Sequence, residues 1–149
     1  MSSRKTLFME TTEVPAERSA AEISSLLMQA GATEISQSFH GGKVIGLRFV
    51  IPIHGLFFVY EMPVRVDEVH AVLRGRTSRF VDREKAGRIA WRQLFRWLQA
   101  QLALIQIGLS NPQEVFLPYC MDQEGQTAYQ RFFETSVRPA LPAPKEPVQ

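Results

Sequence analysis

The segment from Arg83 to Ile107 constrains the fold most, because its pattern predicts one long helix that is apolar around most of its circumference. Asp82 has the residue type of an N-cap, and Gly108 has that of a helix stop. At 1.5 Å per residue the helix would be roughly 37 Å long. One strip of the helix, about 80° wide, carries residues at spacings of three or four: Lys85, Arg88, Arg92, Arg96, Gln99, Ala103 and Gln106. Such a helix needs a second layer of structure to cover its apolar surface.

A β-meander is predicted to supply that layer. Gly41-Gly42 is a two-residue hairpin signal, and His54-Gly55 marks a second turn. Between them, Val44–Ile51 reads as a strand. Its alternation places four residues on one face: Ile45, Leu47, Phe49 and Ile51. We expect Pro52 to end pairing of this strand and Pro63 to end the strand that begins at Leu56.

The N-terminal part adds a predicted strand over Thr6–Thr12 and a helix. Ser19 and Glu22 fit a capping box, and Gly31 fits the end of the same helix. Between them runs one apolar stripe: Ile23, Leu26, Leu27 and Ala30. The predicted class is therefore α+β, with an antiparallel three- to four-stranded sheet in the order β-α-β-β-β. The sheet would pack with a long C-terminal helix and short helices.

The short helices are predicted over Val66–Leu73, after Asn111-Pro112 and around the aromatic residues Tyr129, Phe132 and Phe133. A chain of 149 residues suits one domain, which we place at residues 1–134. Four prolines fall between residues 139 and 147, and no periodic apolar pattern continues there. Residues 135–149 are therefore predicted to be a disordered, proline-rich tail.

Composition argues against a membrane protein and suggests a reducing compartment. The longest strongly apolar stretch, Phe95 to Ile107, is interrupted by Arg96 and three glutamines, whereas a spanning helix needs about 20 apolar residues. Cys120 is the single cysteine, so no disulfide can form within the chain. A cytoplasmic location is the expectation.

Positive charge is concentrated in the middle of the sequence. Residues 1–64 carry five basic and six acidic side chains, residues 65–96 carry nine and four, and residues 97–149 carry three and five. Four cations follow one strip of the long helix: Lys85, Arg88, Arg92 and Arg96. No acidic residue lies within the strip. The strip is either a solvated face or a binding site for phosphates or an acidic partner.

No pattern of catalytic or metal-binding residues was found. His40, His54 and His70 have no second ligand at helical spacing, and Cys120 has no neighbouring positive charge to lower its pKa. The carboxylates of Glu61, Asp67 and Glu68 lie near a strand end and a helix start, where acidic residues are common. We therefore predict no enzyme activity, no cofactor and no metal. A sheet face that carries Arg48, Phe57 and Val59 is a further candidate surface for single-stranded nucleic acid, if no helix covers it.

Several segments together resemble a known group of sequences. They are Thr11–Pro15, Ala21–Ile23, Gly31-Ala32, Ala90–Arg92, Trp97–Ile105, Gly108, Glu114–Tyr119 and Gly125–Tyr129. In these segments the chain resembles a group of small uncharacterised proteins from bacteria and their phages or mobile elements. The resemblance covers nearly all of residues 6–134, but not residues 74–82. It implies a bacterial or phage source and no particular mechanism.

The leading functional hypothesis is a small non-enzymatic accessory or interaction protein with a protein partner. The alternative is a nucleic-acid-associated protein that binds the phosphate backbone through the basic region 74–96. A third possibility is a small enzyme whose site is assembled from dispersed residues.

Overall fold

The structure is a computed structural model that describes residues 5–136 and has an α+β fold, which confirms the predicted class. In chain order the elements are α1 (Ala16–Gln29), β1 (Glu34–His40), β2 (Lys43–Ile53), β3 (Leu56–Pro63), α2 (Val66–Arg74), α3 (Arg83–Gln106), α4 (Pro112–Phe116), the 3-10 helix η1 (Leu117–Tyr119) and α5 (Ala128–Ser136). The predicted tail begins inside α5, at Thr135. From residue 137 onwards it lies outside the described residues.

The three strands form an antiparallel meander in the order β1-β2-β3. Gly41 and Gly42 have φ values of 57° and 75°, and His54 and Gly55 have values of 51° and 80°. Two successive residues with positive φ match the twist of the strands that they connect. Both predicted hairpins are confirmed, and α2 lies where the sequence places it.

A β-bulge changes which residues of β2 face the core. Ser38 pairs with Gly46 but Phe39 pairs with Val44, so Ile45 has no partner in β1. Leu47, Phe49 and Ile51 share one face as predicted, and that face is buried. Ile45 is exposed instead, and Val44 packs against the core. The prediction that Ile45 shares one face with Leu47, Phe49 and Ile51 is therefore wrong, because the extra residue reverses the alternation.

Pro52 does not end β2. The strand continues to Ile53, and Pro52 pairs with Phe57 of β3. The carbonyl oxygen of Val50 accepts a hydrogen bond from the Thr33 N–H on the β1 side. Because alternate residues of a strand direct their backbone groups to the same side, the Pro52 nitrogen also faces the β1 side. It lies beyond Glu34, which is the first paired residue of β1. No strand lies there to receive a hydrogen bond, so the missing N–H costs nothing.

The predicted capping box at Ser19 is wrong. Helix α1 begins four residues earlier, at Ala16 with Pro15 in the N-cap position, and Pro15 makes no side-chain cap. Ser19 is fully buried inside the helix, and its hydroxyl has no hydrogen-bond partner among the described residues. The predicted apolar stripe is confirmed at Ile23 and Leu27, which are fully buried. Gly31 has a φ of 102° and follows the end of the helix as expected.

Thr6–Thr12 forms no strand, so the sheet has three strands and not four. The segment contains turns, in which the Glu10 N–H donates to the Leu7 carbonyl oxygen. Arg76 holds it from the other side through ion pairing to Glu10 and a hydrogen bond to the Lys5 carbonyl oxygen. These contacts fix the segment beside the loop between α2 and α3.

Helix α3 is the longest element, with 24 residues. The Asp82 carboxylate accepts a hydrogen bond from the Glu84 N–H, which confirms the predicted N-cap. Gly108 follows the end of the helix with a φ of 78°. The helix is not the C-terminal element of the fold, because α4, η1 and α5 come after it. The predicted start of α4 is confirmed, since the Asn111 side chain accepts from the Glu114 N–H.

The core lies between one face of the sheet and the helices. Phe49 and Tyr60 are stacked on that face with ring centroids 5.3 Å apart, and Phe116 from α4 packs edge-on to Phe49 at 5.1 Å. Trp97 is half-buried and contacts Phe116, whereas Trp91 is buried. The side chains of the other sheet face remain outside this core.

Candidate functional site

Helix α3 carries the four predicted cations, but they are not equally free to bind a ligand. Arg92 donates to a carboxylate oxygen of Glu22 in α1 over 2.8 Å, and its side chain is only 12% exposed. Its guanidinium also lies 4.1 Å from the centre of the Phe95 ring. The hydrogen bond from Arg92 lowers the pKa of the Glu22 carboxyl. Arg92 therefore joins α1 to α3, and the expectation that it faces water is wrong.

The other three cations are more accessible. Arg88 lies 3.9 Å from a Glu84 carboxylate oxygen one turn earlier. Arg96 donates to the Gln99 side chain over 2.9 Å, and Lys85 is exposed. Among residues 5–136, neither Lys85 nor Arg96 has a carboxylate within 4 Å. The sequence suggested a strip without acidic neighbours, but Glu22 reaches it from another helix.

Two further cations of the basic region 74–96 are also paired. Arg83 forms an ion pair with Asp67 of α2 and lowers the pKa of that carboxyl. Arg76 pairs with Glu10. Much of the positive charge in this region therefore joins α1, α2, α3 and the N-terminal segment to one another.

A second candidate surface is the outer face of the sheet. Phe57 is 75% exposed there, and Val59 is half-buried. The Ser38 hydroxyl donates to a Glu61 carboxylate oxygen over 2.6 Å, and Arg48 lies 3.6 Å from the same atom. Arg48, Phe57 and Val59 do share this face, as the register with β3 requires. However, the carboxylate of Glu61 offsets the charge of Arg48.

A cleft lies at one end of this face. Its volume is about 510 Å³, and it is open to solvent on one side. The sheet contributes one wall and the segment from η1 to α5 contributes the other. The lining residues are Ile45, Glu61, Pro63, Arg65, Pro118, Tyr119, Thr127, Tyr129 and Gln130. The bulge in β2 shapes the cleft, because it turns Ile45 outwards.

Helix α5 carries an aromatic face beside the cleft, formed by Tyr129, Phe132 and Phe133. These side chains are 58%, 61% and 58% exposed. The rings of Tyr129 and Phe133 are 4.8 Å apart, so they form one continuous apolar surface. The spacing i, i+3 and i+4 places all three on one side of the helix.

The base of α5 is anchored by polar contacts. Arg131 forms ion pairs with Asp122 and Glu124, which raise the pKa of the guanidinium. The Ala128 N–H donates to the Cys120 carbonyl oxygen over 2.8 Å. The Gln126 N–H and Arg131 both donate to Asp122 and lower the pKa of its carboxyl. The aromatic face is thus held outwards by its anchoring loop.

Two other reactive side chains, Cys120 and His70, lie in separate elements, the first directly after η1 and the second in α2. Cys120 is half-buried, and burial raises the pKa of its thiol. His70 lies 2.9 Å from the Val81 carbonyl oxygen, which links α2 to the loop before α3. Within residues 5–136, no three His, Cys, Asp or Glu side chains converge as a metal site would require. In that same range, no helix has the length and apolarity needed to cross a bilayer.

No family model, curated protein or solved structure was found to match the chain. The site is therefore interpreted from its own residues. Sequence reasoning placed the aromatic residues of α5 on a helix but did not identify them as a surface. The available signal was the spacing i, i+3 and i+4, which places the three rings on one side of the helix. A helix of only nine residues has few neighbours to cover that side.

Proposed function

We propose that this chain is a small non-enzymatic interaction protein of bacterial or phage origin that binds another polypeptide. The proposed binding surface is the aromatic face of α5 together with the adjoining cleft. The observation that carries the proposal is the exposure of Tyr129, Phe132 and Phe133, each close to three fifths. Continuous apolar surface of this kind on a soluble domain is typical of a binding site.

The exposed area of the three aromatic rings is large enough to make a modest contribution to the free energy of binding. A Phe or Tyr side chain buries 150–250 Å² when fully covered, so the three rings offer roughly 300 Å². At about 25 cal/mol per Å² their burial contributes about 7 kcal/mol before other effects. Association costs about 4–15 kcal/mol, so burial of the rings alone would give weak binding at most. We propose that the partner also contacts the cleft, where Ile45 and Tyr119 add apolar surface.

Selection from a random peptide library displayed on phage tests this proposal. The immobilised wild-type chain should enrich peptides that bind the doubly substituted chain, Phe132→Ser with Phe133→Ser, at least tenfold more weakly. Phe80→Ser is the matched control, because Phe80 is 92% exposed in the loop before α3. Failure to enrich any peptide, or equal binding to the double variant, would contradict the proposal.

Nucleic-acid binding is a second candidate function, supported by the exposure of Lys85 and Arg96 without carboxylate partners in the described part of the chain. The test is a fluorescence titration with single- and double-stranded oligonucleotides over a range of salt concentrations. Lys85→Gln with Arg96→Gln should reduce the slope of log K against log salt by about 1–2. Arg92 is unsuitable for this test, because its removal breaks the ion pair with Glu22. Absence of binding near 50 mM salt would remove the candidate.

A further inference from the structure

The sheet has two edges, and within residues 5–136 only the β3 edge is covered. There Tyr60 forms a bridge with Cys120, and the Met121 N–H donates to the Val59 carbonyl oxygen over 2.7 Å. At the other edge, β1 pairs with β2 alone among the described residues. The outer side of β1 therefore presents a row of backbone N–H and C=O groups to which another strand can bind.

The pairing of β1 with β2 shows which backbone groups point outwards. His40 and Lys43 flank a two-residue turn and therefore form a hydrogen-bonded pair. At the other end of the strand, Val50 is the partner of Glu34 and directs its carbonyl oxygen to the β1 side. Because alternate residues of a strand bond to the same side, the even-numbered residues of β1 bond to β2. The odd-numbered residues direct their N–H and C=O groups to the open edge: Ile35, Gln37 and Phe39.

The sequence of β1 is complementary to itself in the antiparallel direction. With Gln37 of two copies face to face, each other residue of β1 meets a complementary one: Ile35 with Phe39, Ser36 with Ser38 and Glu34 with His40. This register pairs all three outward-directed residues, and each pair forms two backbone hydrogen bonds. A register shifted by two residues would place one of the three opposite a residue outside β1. The geometry of the edge and the order of its side chains therefore select the same register.

The side chains on the helix side of β1 fit this register. Ile35 is half-buried and packs against the core, opposite its β2 partner Phe49. Phe39 lies four residues further along the same face, but its side chain is 61% exposed. A second copy would bring its own Ile35 against this ring. Cross-strand pairs of an aromatic and a β-branched residue stabilise antiparallel sheets, and two-fold symmetry would supply this pair twice.

The charges of β1 favour a second copy as the partner. Glu34 is a negative charge at one end of the strand, and Lys43 lies beside His40 at the other end. Both charged side chains are exposed, and neither forms an ion pair within the described part of the chain. Antiparallel pairing places the negative end of each copy against the positive end of the other. Glu34–His40 also contains no proline or lysine, the residues that commonly protect a sheet edge from pairing.

We propose that β1 is a dimerisation edge, at which two copies of this chain join their sheets into one antiparallel sheet of six strands. The two-fold axis passes between the Gln37 residues of the two copies. The cleft and α5 adjoin the segment that covers the other edge, so the inference does not rest on the proposed peptide-binding function.

Sedimentation velocity tests the association. Loading concentrations from about 5 to 300 μM cover the micromolar dissociation constants expected of so small an interface. The wild-type chain should shift from monomer to dimer across this range. Gln37→Pro should raise the dissociation constant at least about tenfold, because it removes an outward N–H while leaving the bonds to β2 in place. Circular dichroism checks that this variant is folded. Phe132→Ser with Phe133→Ser is the control for association through α5 and should dimerise as the wild type does.

Cysteine cross-linking tests the register. In a background of Cys120→Ser, Gln37→Cys places two thiols across the axis, where Cα atoms of a hydrogen-bonded pair lie about 5.5 Å apart, within the range of a disulfide. The matched control is Ser36→Cys, an exposed neighbour whose two copies would lie diagonally, about 7–8 Å apart. Under mild oxidation, Gln37→Cys should form covalent dimers at least about tenfold faster than Ser36→Cys.

Three results would overturn the inference. The first is a wild-type chain that stays monomeric over the whole concentration range. The second is a dimer that is lost in the α5 double variant or is unaffected in folded Gln37→Pro. The third is cross-linking at equal rates in the two cysteine variants, which would remain decisive if Gln37→Pro failed to fold.

Discussion

Replacing Phe116 by alanine tests the packing that joins α4 to the sheet. Phe116 is fully buried, and its ring meets three others, with centroid distances of 5.1 Å to Phe49, 5.8 Å to Tyr60 and 6.4 Å to Trp97. Loss of the ring leaves a cavity that these large neighbours cannot easily fill. Buried Phe→Ala changes cost about 3–5 kcal/mol, and we expect about 4 kcal/mol here.

Urea denaturation followed by tryptophan fluorescence measures the loss. Because domains are stable by only about 5–15 kcal/mol, Phe116→Leu provides a milder variant, for which we expect a loss of about 1–2 kcal/mol. Phe80→Ala is the exposed control and should change the free energy of unfolding by less than about 0.5 kcal/mol. A loss below about 1.5 kcal/mol for Phe116→Ala, with an unchanged denaturant slope, would refute the packing described here.

Three further predictions address other parts of the structure. Glu22→Gln should destabilise the protein at pH 7, because the hydrogen bond from Arg92 lowers the folded pKa of Glu22. The difference from wild type should disappear as pH falls through that lowered folded pKa, below which the wild-type carboxyl is protonated in both states; denaturation across pH checks this. Gly46→Ala should lower the free energy of unfolding by about 1–3 kcal/mol, since the new Cβ would lie 3.0 Å from a carbonyl oxygen of β3. The control Gly87→Ala in α3 meets no atom within 4 Å and should raise the free energy of unfolding by about 0.5–1 kcal/mol. Alkylation of Cys120 at pH 8 should be slower in the folded protein than in urea, because burial raises the pKa of the thiol and so lowers its thiolate fraction; equal rates would contradict the half-buried position.

Local signals predicted most of the fold. The two hairpins were predictable because glycine, or histidine followed by glycine, sits where the backbone needs positive φ. The start of α3 followed from the short carboxylate of Asp82, which caps the helix through a neighbouring N–H. In each case the residue and the backbone that it affects are only a few positions apart, so the interaction can be recognised from the sequence alone.

Several of the wrong predictions depend on residues distant in sequence. The register shift opposite Ser38 turned Ile45 outwards, and the end of β1 made Pro52 acceptable within β2. Arg92 faces Glu22, which is 70 positions away along the chain. The same limit applies to the cleft, because its walls come from β2, β3 and the segment from η1 to α5, and no local sequence pattern indicates that they meet.

The attachment of α5 gives the protein a unit that can open separately from its core. The helix rests chiefly on η1 and on the loop that Asp122 and Arg131 hold together, and its aromatic face makes no contribution to the buried core. Segments with few buried contacts exchange their amide hydrogens through local openings that cost less than global unfolding. We therefore expect the amide hydrogens of α5 to exchange faster than those of β2 or α3. A bound partner would slow exchange in α5 selectively. The proposed binding surface could thus rearrange around a ligand while the sheet and the long helix stay intact.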